Sequence, residues 1–314
     1  MAVIISASRR TDIPRYYAEF FSERRSAGQV EFRNAFGGMG SVSLRDEDVL
    51  AYLFWTRLAQ PFASNLQALR DDGIPYAFQY TITGYDTDLE PYTPGVSTAI
   101  DDFQRLSAQL PDPACIQLRY DPIVISGTCH RAWHEANFSA MARQLQGATR
   151  VVNVSVVEPY LKAIRRVDDP TVQFRPLDPK KHRAAAKRHP DLPQAGPAAT
   201  AGLLEELNAI AAAHGMQMRT CCNPELSLPA SQCCSLELFT PYGDSLQTRL
   251  GGLPKAPSRE SCRCLRSVDI GMDNTCVAGC RYCYVVTSHE TAVKNLRRHD
   301  PKGSMLRPDL VRSH

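Results

Sequence analysis

The sequence has no long hydrophobic run and no recognisable export signal. None of its 314 residues lies in a stretch that approaches the roughly 20 apolar residues of a membrane-spanning helix. The opening MAVIISASRR places only a short apolar run before two arginines, whereas a secretory signal needs a longer apolar region and a small-residue cleavage site. These absences argue against a membrane or exported protein, and we expect a cytoplasmic one.

The chain also has little excess charge and lacks the common nucleotide and hydrolase motifs. Its 36 Lys and Arg residues against 33 Asp and Glu residues leave a net charge of +3, which is too small to predict a nucleic-acid partner. No P-loop, GxSxG or dinucleotide-binding fingerprint is present. The content of 43% apolar and 22% charged residues is typical of a soluble globular protein.

Short apolar runs alternate with amphipathic stretches, which is typical of an α/β protein. Strands are predicted at residues 3–8, 49–56, 76–83, 115–120, 151–157, 217–220 and 267–271, with a hairpin at 30–34 and 42–44. Helices are predicted at residues 15–27, 62–70, 97–110, 131–146, 203–214 and 283–298. We therefore expect a single (β/α) barrel resembling a TIM barrel, with a doubly wound open sheet as the alternative.

One segment interrupts this alternation. Residues 176–200 combine five prolines with a basic cluster, so we interpret them as a surface excursion or mobile lid whose charges form a solvated face. The rest of the sequence is continuous with the barrel pattern, and we predict one domain over residues 1–314.

Cysteine, by contrast, is abundant and clustered. Nine of the eleven cysteines fall in the last third of the chain, as CC, CC, CRC and CVAGCRYC. An odd, clustered set in a chain without an export signal is typical of metal ligands rather than disulfides. The other two, Cys115 and Cys129, are expected to be buried and unreactive.

The strongest motif is the C-x3-C-x2-C loop formed by Cys276, Cys280 and Cys283, which follows a predicted strand. A loop of this length can wrap three thiolates around one corner of a [4Fe–4S] cubane. The fourth iron then has no protein ligand and is open to a substrate or cofactor. The alternative is a zinc knuckle in which a fourth thiolate, such as Cys264, completes a tetrahedral site.

The loop resembles the radical S-adenosylmethionine (SAM) signature, with Tyr282 at its aromatic position, and its YCY ending is most similar to the spore photoproduct lyase branch. The resemblance implies that the open iron chelates the amino and carboxylate groups of SAM. One electron from the cluster, supplied by a ferredoxin-like or flavodoxin-like partner, then cleaves SAM to a 5′-deoxyadenosyl radical. That radical abstracts hydrogen from a substrate, which the sequence does not identify.

The position of the motif differs from that of most radical SAM enzymes, which carry it near their first barrel strand. Here only 31 residues follow Cys283. We therefore predict a circularly permuted core, in which residues 267–298 are the first β/α unit of the family moved to the C-terminus. The place of the SAM-binding motif then falls to residues 6–10.

Nearly the whole chain also resembles an uncharacterised bacterial domain family. The resemblance rests on ISASRRTDIP at residues 5–14, FWT at 54–56 and RYDPI at 119–123. It also rests on the C-x-C…DIG…C-x3-C-x-YCY arrangement at 262–284. This similarity supports a single domain and implies no substrate.

The remaining clustered cysteines form a second set of six: Cys221, Cys222, Cys233, Cys234, Cys262 and Cys264. Four thiols suffice for one site, so we expect ligation by Cys262, Cys264 and one member of each pair. The bound group is either a second iron–sulfur cluster, which would relay electrons or anchor a substrate, or zinc.

Polar residues follow several predicted strands, where a β/α barrel builds its reactive face. The candidates for gripping SAM or substrate are Arg9, Arg10, Asp12, Arg119 and Asp121, because arginine can bind a carboxylate bidentately. Further candidates for cofactor binding are Ser8, Arg9, Ser155 and Tyr282. The local alternatives are a helix N-cap for Asp12 and a structural ion pair for Arg119 with Asp121.

These observations favour an iron–sulfur enzyme of the radical SAM type. Two alternatives remain open. One is an iron–sulfur enzyme that uses its open iron without SAM, and the other is a zinc-stabilised nucleic-acid-binding protein. The second would use the basic residues of the excursion and of the C-terminal tail, including Arg312.

Overall fold

The computed structural model describes residues 2–178, 180–223, 226–256 and 261–307, and it has a mixed α/β fold. The strands are β1 (Val3–Ala7), β2 (Gln29–Arg33), β3 (Met39–Ser43), β4 (Val49–Thr56), β5 (Tyr76–Thr81), β6 (Ile116–Arg119), β7 (Val151–Val154), β8 (Gln217–Thr220) and β9 (Ser267–Asp269). The helices are α1 (Ile13–Tyr16), α2 (Ala18–Ser26), α3 (Ala63–Asp71), α4 (Val96–Gln109), α5 (Arg131–Leu145), α6 (Leu161–Ile164), α7 (Arg183–Arg188), α8 (Pro197–Ala213), α9 (Asp244–Gly251) and α10 (His289–Arg297).

Seven strands form one parallel sheet in the order β8-β7-β6-β5-β4-β1-β9, so the prediction of an α/β fold is confirmed. From β1 to β8 the strands follow one another in chain order, and β9 pairs with the other side of β1. In the described part of the chain β8 and β9 are the two edges of this sheet. Because all seven strands run the same way, their carboxyl ends share one rim.

The two faces of the sheet are covered differently. Side chains such as Ile5, Phe54 and Phe78 point to the face on which the helices pack. Residues of the opposite parity, such as Ile4 and Leu53, contact a segment between β8 and β9. That segment supplies Leu238, Phe239, Leu246 and Leu250 from a 3-10 turn at Glu237–Tyr242 and from α9. Burial on both faces explains why the strands read as continuous apolar runs.

Two predicted helices have other boundaries in the structure. α8 begins at Pro197 rather than at residue 203, because proline is well suited to the first turn of a helix. α10 begins at His289, where the Ser288 side chain caps the helix, so the predicted start at residue 283 is wrong. The cysteine loop is consequently free of helix from residue 276 to residue 288.

The predicted excursion at residues 176–200 is only partly exposed. Its last residues, from Pro197, belong to α8, and Ala185 and Ala195 are buried. Pro179 lies outside the described residues. The helices that the structure describes include none with the length and apolar character required to cross a membrane.

Candidate functional site

The carboxyl ends of the parallel strands surround one pocket with a volume of about 250 Å³. Every residue proposed from the sequence to grip a ligand lines this pocket, namely Ser8, Arg9, Arg10, Asp12, Arg119, Asp121, Ser155 and Tyr282. The cysteines that line it are Cys221, Cys233, Cys262, Cys264, Cys276, Cys280 and Cys283. Cys222 and Cys234 are not part of this lining. The rim of the sheet therefore brings both predicted cysteine sets to one cavity.

The loop carrying Cys276, Cys280 and Cys283 has the three cysteines half-buried against the pocket. Backbone N–H groups point at its sulfurs: that of Val285 lies 3.4 Å from Cys283 Sγ, and those of Asp12 and Ala278 donate to Cys276. Burial raises the pKa of the Cys276 thiol to about 11 and that of Cys280 to about 12. Burial therefore disfavours the thiolate form of both side chains.

Basic side chains of the segment after β7 fix the end of this loop. Lys162 Nζ donates to the carbonyl of Val285 at 3.0 Å, and the Arg166 guanidinium donates to the carbonyl of Cys283. A second cavity of about 140 Å³ lies against the same three cysteines and is also lined by Arg166, Arg281 and His289. The loop thus forms a wall shared by two cavities.

A buried network that sequence reasoning missed holds Tyr282. Arg57 and Glu90 form a bidentate ion pair, with Nη1–Oε2 and Nη2–Oε1 distances of 3.0 and 2.9 Å. The Tyr282 hydroxyl contacts both partners, and Thr83 Oγ1 donates to Glu90 at 2.6 Å. Tyr282 therefore uses its hydroxyl inside the protein, and its ring packs edge-on against Tyr85. This arrangement positions the loop.

Gly279 occupies a conformation and a space that no other residue fits well. Its φ of +73° is in the left-handed region, and a Cβ there would lie 2.5 Å from the Tyr92 ring. The glycine between the first two cysteines therefore has a structural explanation.

Asp269 at the end of β9 organises the segment after β1. Its carboxylate accepts hydrogen bonds from Ser8 Oγ at 2.7 Å, from Ser6 Oγ at 3.1 Å and from the Arg9 backbone N–H at 2.9 Å. The Arg10 side chain contacts Asp269, Asp273 and the backbone carbonyls of Arg33 and Gly271. The Arg10 side chain is thus held by protein groups. Asp269, which was predicted only as part of a strand, is the residue that orders the segment after β1.

Asp12 has the capping role that was the local alternative. Its carboxylate accepts from the Arg15 backbone N–H at 3.1 Å, from Thr56 Oγ1 at 2.7 Å and from the Arg57 backbone N–H at 3.0 Å. Burial raises the pKa of Asp12 to about 6, against the opposing effect of these donors. The carboxylate joins the start of α1 to the end of β4.

Arg119 and Arg9 lie over the ring of Trp55, with guanidinium carbons 5.0 and 5.6 Å from its centroid. Arg119 also pairs with Asp121, as the second local alternative predicts, and Asp121 accepts from the Ser155 hydroxyl. The other side of Arg119 faces sulfur, since Nη1 is 3.3 Å from Cys233 Sγ. This side of the pocket is therefore cationic and aromatic.

The second cysteine set forms a continuous row of contacts. Cys233 is hydrogen-bonded to Cys221 and to Cys264, and Cys264 is hydrogen-bonded to Cys262. Hydrogen bonds from Cys221 and Cys264, together with Arg119, lower the pKa of the Cys233 thiol. The thiol of Cys234 is directed instead to Ser267, and burial raises its pKa to about 12.

Polar side chains on the sheet face opposite to the helices anchor Cys233, the middle of this row. Gln79 Nε2 donates to the carbonyl of Cys233 at 3.0 Å, and Ser231 Oγ donates to Asn153 at 2.6 Å. Gln117 accepts from both Gln79 and Asn153, so these buried polar groups form one network. Hydrogen bonds among these amide groups explain why the buried face of the sheet tolerates polar residues here.

Among the described residues, no three His, Cys, Asp or Glu side chains are grouped so that they could hold one metal ion. This applies to both cysteine sets. The donor chemistry of the 276–283 loop nevertheless fits a [4Fe–4S] cluster. Three thiols share one cavity, backbone N–H groups face two of them, and Arg57 lies near the third. Such donors compensate the negative charge of cluster sulfur.

At the rim of the pocket Glu158 binds the excursion to the sheet. Its carboxylate pairs with Arg175 at 2.7 Å and with Lys181 at 2.8 Å. Lys180, Arg183, Lys187 and Arg188 are exposed, as a solvated face requires. Arg312 of the predicted basic tail lies outside the described residues.

Other predicted residues lie away from the pocket. Cys115 and Cys129 are buried, as expected. His130 caps α5 through the backbone N–H of Trp133. His134, which is four residues further on, is fully buried, with Nδ1 2.7 Å from the Tyr120 hydroxyl and Nε2 3.0 Å from the Val124 carbonyl. His130 thus has a capping role, whereas both ring nitrogens of His134 are hydrogen-bonded inside the protein.

Comparisons with known proteins bear on the family of the chain. No curated protein matches it. A family model described as "Domain of unknown function (DUF1848)" matches residues 4–285, a range that overlaps each strand of the described residues and includes both cysteine sets. The match confirms the resemblance to an uncharacterised domain family. The protein therefore belongs to the DUF1848 family.

Proposed function

We propose that the protein is an iron–sulfur enzyme of the radical SAM type, with Cys276, Cys280 and Cys283 holding a [4Fe–4S] cluster. The observation that carries this proposal is the place of the three thiols. They line the same cavity as side chains from the ends of six parallel strands. A cluster held by these three thiols would lie at the wall of a pocket that can receive a substrate.

The strand order supports a permuted core. When β9 is taken as the first strand, the order across the sheet is β9-β1-β4-β5-β6-β7-β8, which is the order of successive β/α units in a barrel. Hydrogen bonds of the segment between the edge strands support closure of the remaining gap by irregular chain. Ser231 N–H donates to the carbonyl of Thr220 in β8, and Leu265 N–H, close before β9, donates to that of Cys234. The proposed architecture is thus a barrel completed by irregular chain.

The pocket residues divide into those that can contact a ligand and those that position others. The donors of Arg10 and the carboxylate of Asp12 are used by protein groups, so both are positioning residues. Arg9 and Arg119 present guanidinium groups over Trp55, where a carboxylate and a flat ring can be held together. When bound, the cluster and SAM supply a carbon radical for hydrogen abstraction.

An electron must reach the cluster from outside, and the outer side of the loop is basic. The cavity lined by Arg166, Arg281 and His289 adjoins three exposed basic residues. These are Lys294 and Arg297 of α10 and Arg298, which follows the helix. Charge complementarity favours a small acidic electron carrier, such as a ferredoxin-like or flavodoxin-like protein.

The alternative of a cluster enzyme without SAM uses the same loop and pocket. It is favoured by one observation: two of the residues expected to bind SAM, Arg10 and Asp12, are already saturated by the protein. The two proposals differ in whether reduction of the loaded protein cleaves SAM.

The test is an anaerobic assay of reductive SAM cleavage. Protein reconstituted with iron and sulfide is mixed with dithionite and SAM, and 5′-deoxyadenosine is measured. We expect product from the wild type and from the control C115A, and none above background from C280A. Iron-loaded wild type that forms no more product than C280A would overturn the radical SAM proposal. Zinc alone after reconstitution would overturn both iron–sulfur proposals.

A further inference from the structure

Four thiols from three separate segments of the chain line the same pocket as the 276–283 loop. Cys221 follows β8, Cys233 lies in the following turn, and Cys262 and Cys264 precede β9. All four line the cavity. The thiols therefore form a set distinct from the loop that carries the first three cysteines.

The lining of the cavity distinguishes the members of each cysteine pair, although Cys222 Sγ also lies 3.9 Å from Cys221 Sγ. Cys233 is hydrogen-bonded to Cys221 on one side and to Cys264 on the other, and Cys264 to Cys262. Cys234 is fully buried, and its thiol faces Ser267. Cys222 does not line the pocket. One residue of each pair is thus directed to the common set.

The surroundings suit a negatively charged centre. Arg119 Nη1 is 3.3 Å from Cys233 Sγ, and Arg119 is largely buried between the thiols, Trp55 and Asp121. A buried thiolate group is stable only when opposite charge lies nearby. Gln79 fixes the backbone of Cys233, so the central thiol is held from the sheet.

We infer that Cys221, Cys233, Cys262 and Cys264 are the four ligands of a second metal centre, independent of the 276–283 loop. Four thiolates complete the coordination of a zinc ion or of an iron–sulfur cluster, so the centre has no open position. Binding replaces the S–H···S contacts by metal–sulfur bonds, and each ligating thiol gives up its proton. Side-chain rotation must accompany binding, because the described thiols meet in a row.

The inference does not rest on the proposed function, and its test removes the first site. In full-length protein carrying C276A, C280A and C283A, bound iron, zinc and acid-labile sulfide are measured after anaerobic purification and after reconstitution. We expect either one zinc or about four irons with equal sulfide per protein. Zinc and iron–sulfur outcomes both support the site and identify the metal.

Adjacent cysteines supply matched controls in that background. C221S and C233S are expected to lose the retained metal, whereas C222S and C234S keep it. Because C233S removes a buried thiol and can fail to fold, C262S is compared with C222S, since both residues are only half-buried. We expect metal loss to a chelator to be at least tenfold faster from C262S than from C222S.

Two results would overturn the inference. One is a folded triple variant, verified by circular dichroism, that binds no metal before or after reconstitution. The other is equal metal retention in C262S and C222S. Wild-type protein that retains metal at this site but forms no 5′-deoxyadenosine would contradict the proposed function alone.

Discussion

Arg57 and Glu90 form a buried ion pair beside the cysteine loop, with Arg57 Nη2 2.9 Å from Glu90 Oε1. The hydroxyl of Tyr282, which lies between the second and third cysteines of the loop, contacts both partners. The pair joins the end of β4 to the segment after β5, so three parts of the chain fix the loop. The positions of the three thiols therefore depend on residues distant in sequence.

Removing the Tyr282 hydroxyl should weaken this attachment. We expect Y282F to lower the free energy of unfolding by about 1–3 kcal/mol, because Glu90 and Arg57 lose a buried partner while the ring remains. Urea unfolding measures the change. Y92F is the control, since the Tyr92 side chain is half exposed, and an equal effect in both variants would contradict the role given to Tyr282.

Neutralising Glu90 should be more costly. E90Q leaves the Arg57 guanidinium buried without its counter-charge, and breaking a buried pair in this way costs about 3–5 kcal/mol. The same substitution at the exposed pair of Arg131 with Glu135 should leave the stability nearly unchanged. Thermal and urea unfolding give the loss of stability in E90Q and in E135Q. Similar losses in the two variants would show that the buried pair does not hold the loop.

A methyl group at Gly271 should disturb the segment after β1. A Cβ there would lie 1.8 Å from Ser8 Oγ and 2.6 Å from Ser8 Cβ, so Ser8 must leave its place beside Asp269. We expect G271A to destabilise the fold by about 1–3 kcal/mol or more. G251A in α9 meets no atom within 4 Å and should be neutral or mildly stabilising. A neutral G271A would contradict the described packing.

Protonation of His134 should make the fold less stable in mild acid. Burial lowers its pKa to about 4, whereas the unfolded chain has the ordinary value of 6.5. The unfolded state then binds more protons below pH 6.5, so stability is fully present above that pH and is lost as the pH falls toward 4. Between pH 7.5 and pH 5 the loss from this residue is about 2 kcal/mol.

The measurement for His134 is the difference in unfolding free energy between pH 7.5 and pH 5. H134Q should show a smaller difference than the wild type by that amount. H130N removes an imidazole but retains an N-cap acceptor, and it should keep the pH dependence of the wild type. An identical pH dependence in H134Q and the wild type would exclude His134 as its source.

Much of the fold could be predicted from local sequence patterns. The apolar run at residues 49–56 coincides with β4, because a strand buried on both faces is a continuous apolar run. Residues 217–220 coincide with β8, an edge strand in which Met218 and Thr220 alone are buried. The order of the strands depends on pairing between distant segments, as in the contact of β9 with β1. Periodicity contains no information on such pairs.

Part of the site could be predicted from the sequence. The cysteine spacing identified the loop, and polar residues after the strands identified the pocket wall. Glu90 could not be predicted because no local pattern distinguishes it from the neighbouring Asp86 and Asp88, and its partners lie 33 and 192 residues away. Asp269 was hidden within a strand prediction. Both act through partners that only the folded chain brings together.

The most direct test of the central claim is the EPR spectrum of the reduced, iron-loaded protein with and without SAM. We expect a [4Fe–4S] signal that changes when SAM is added, since the open iron of a cluster on Cys276, Cys280 and Cys283 would gain a ligand. The change should be absent from a C276A/C280A/C283A variant. A wild-type spectrum that is identical with and without SAM would contradict SAM binding at the open iron.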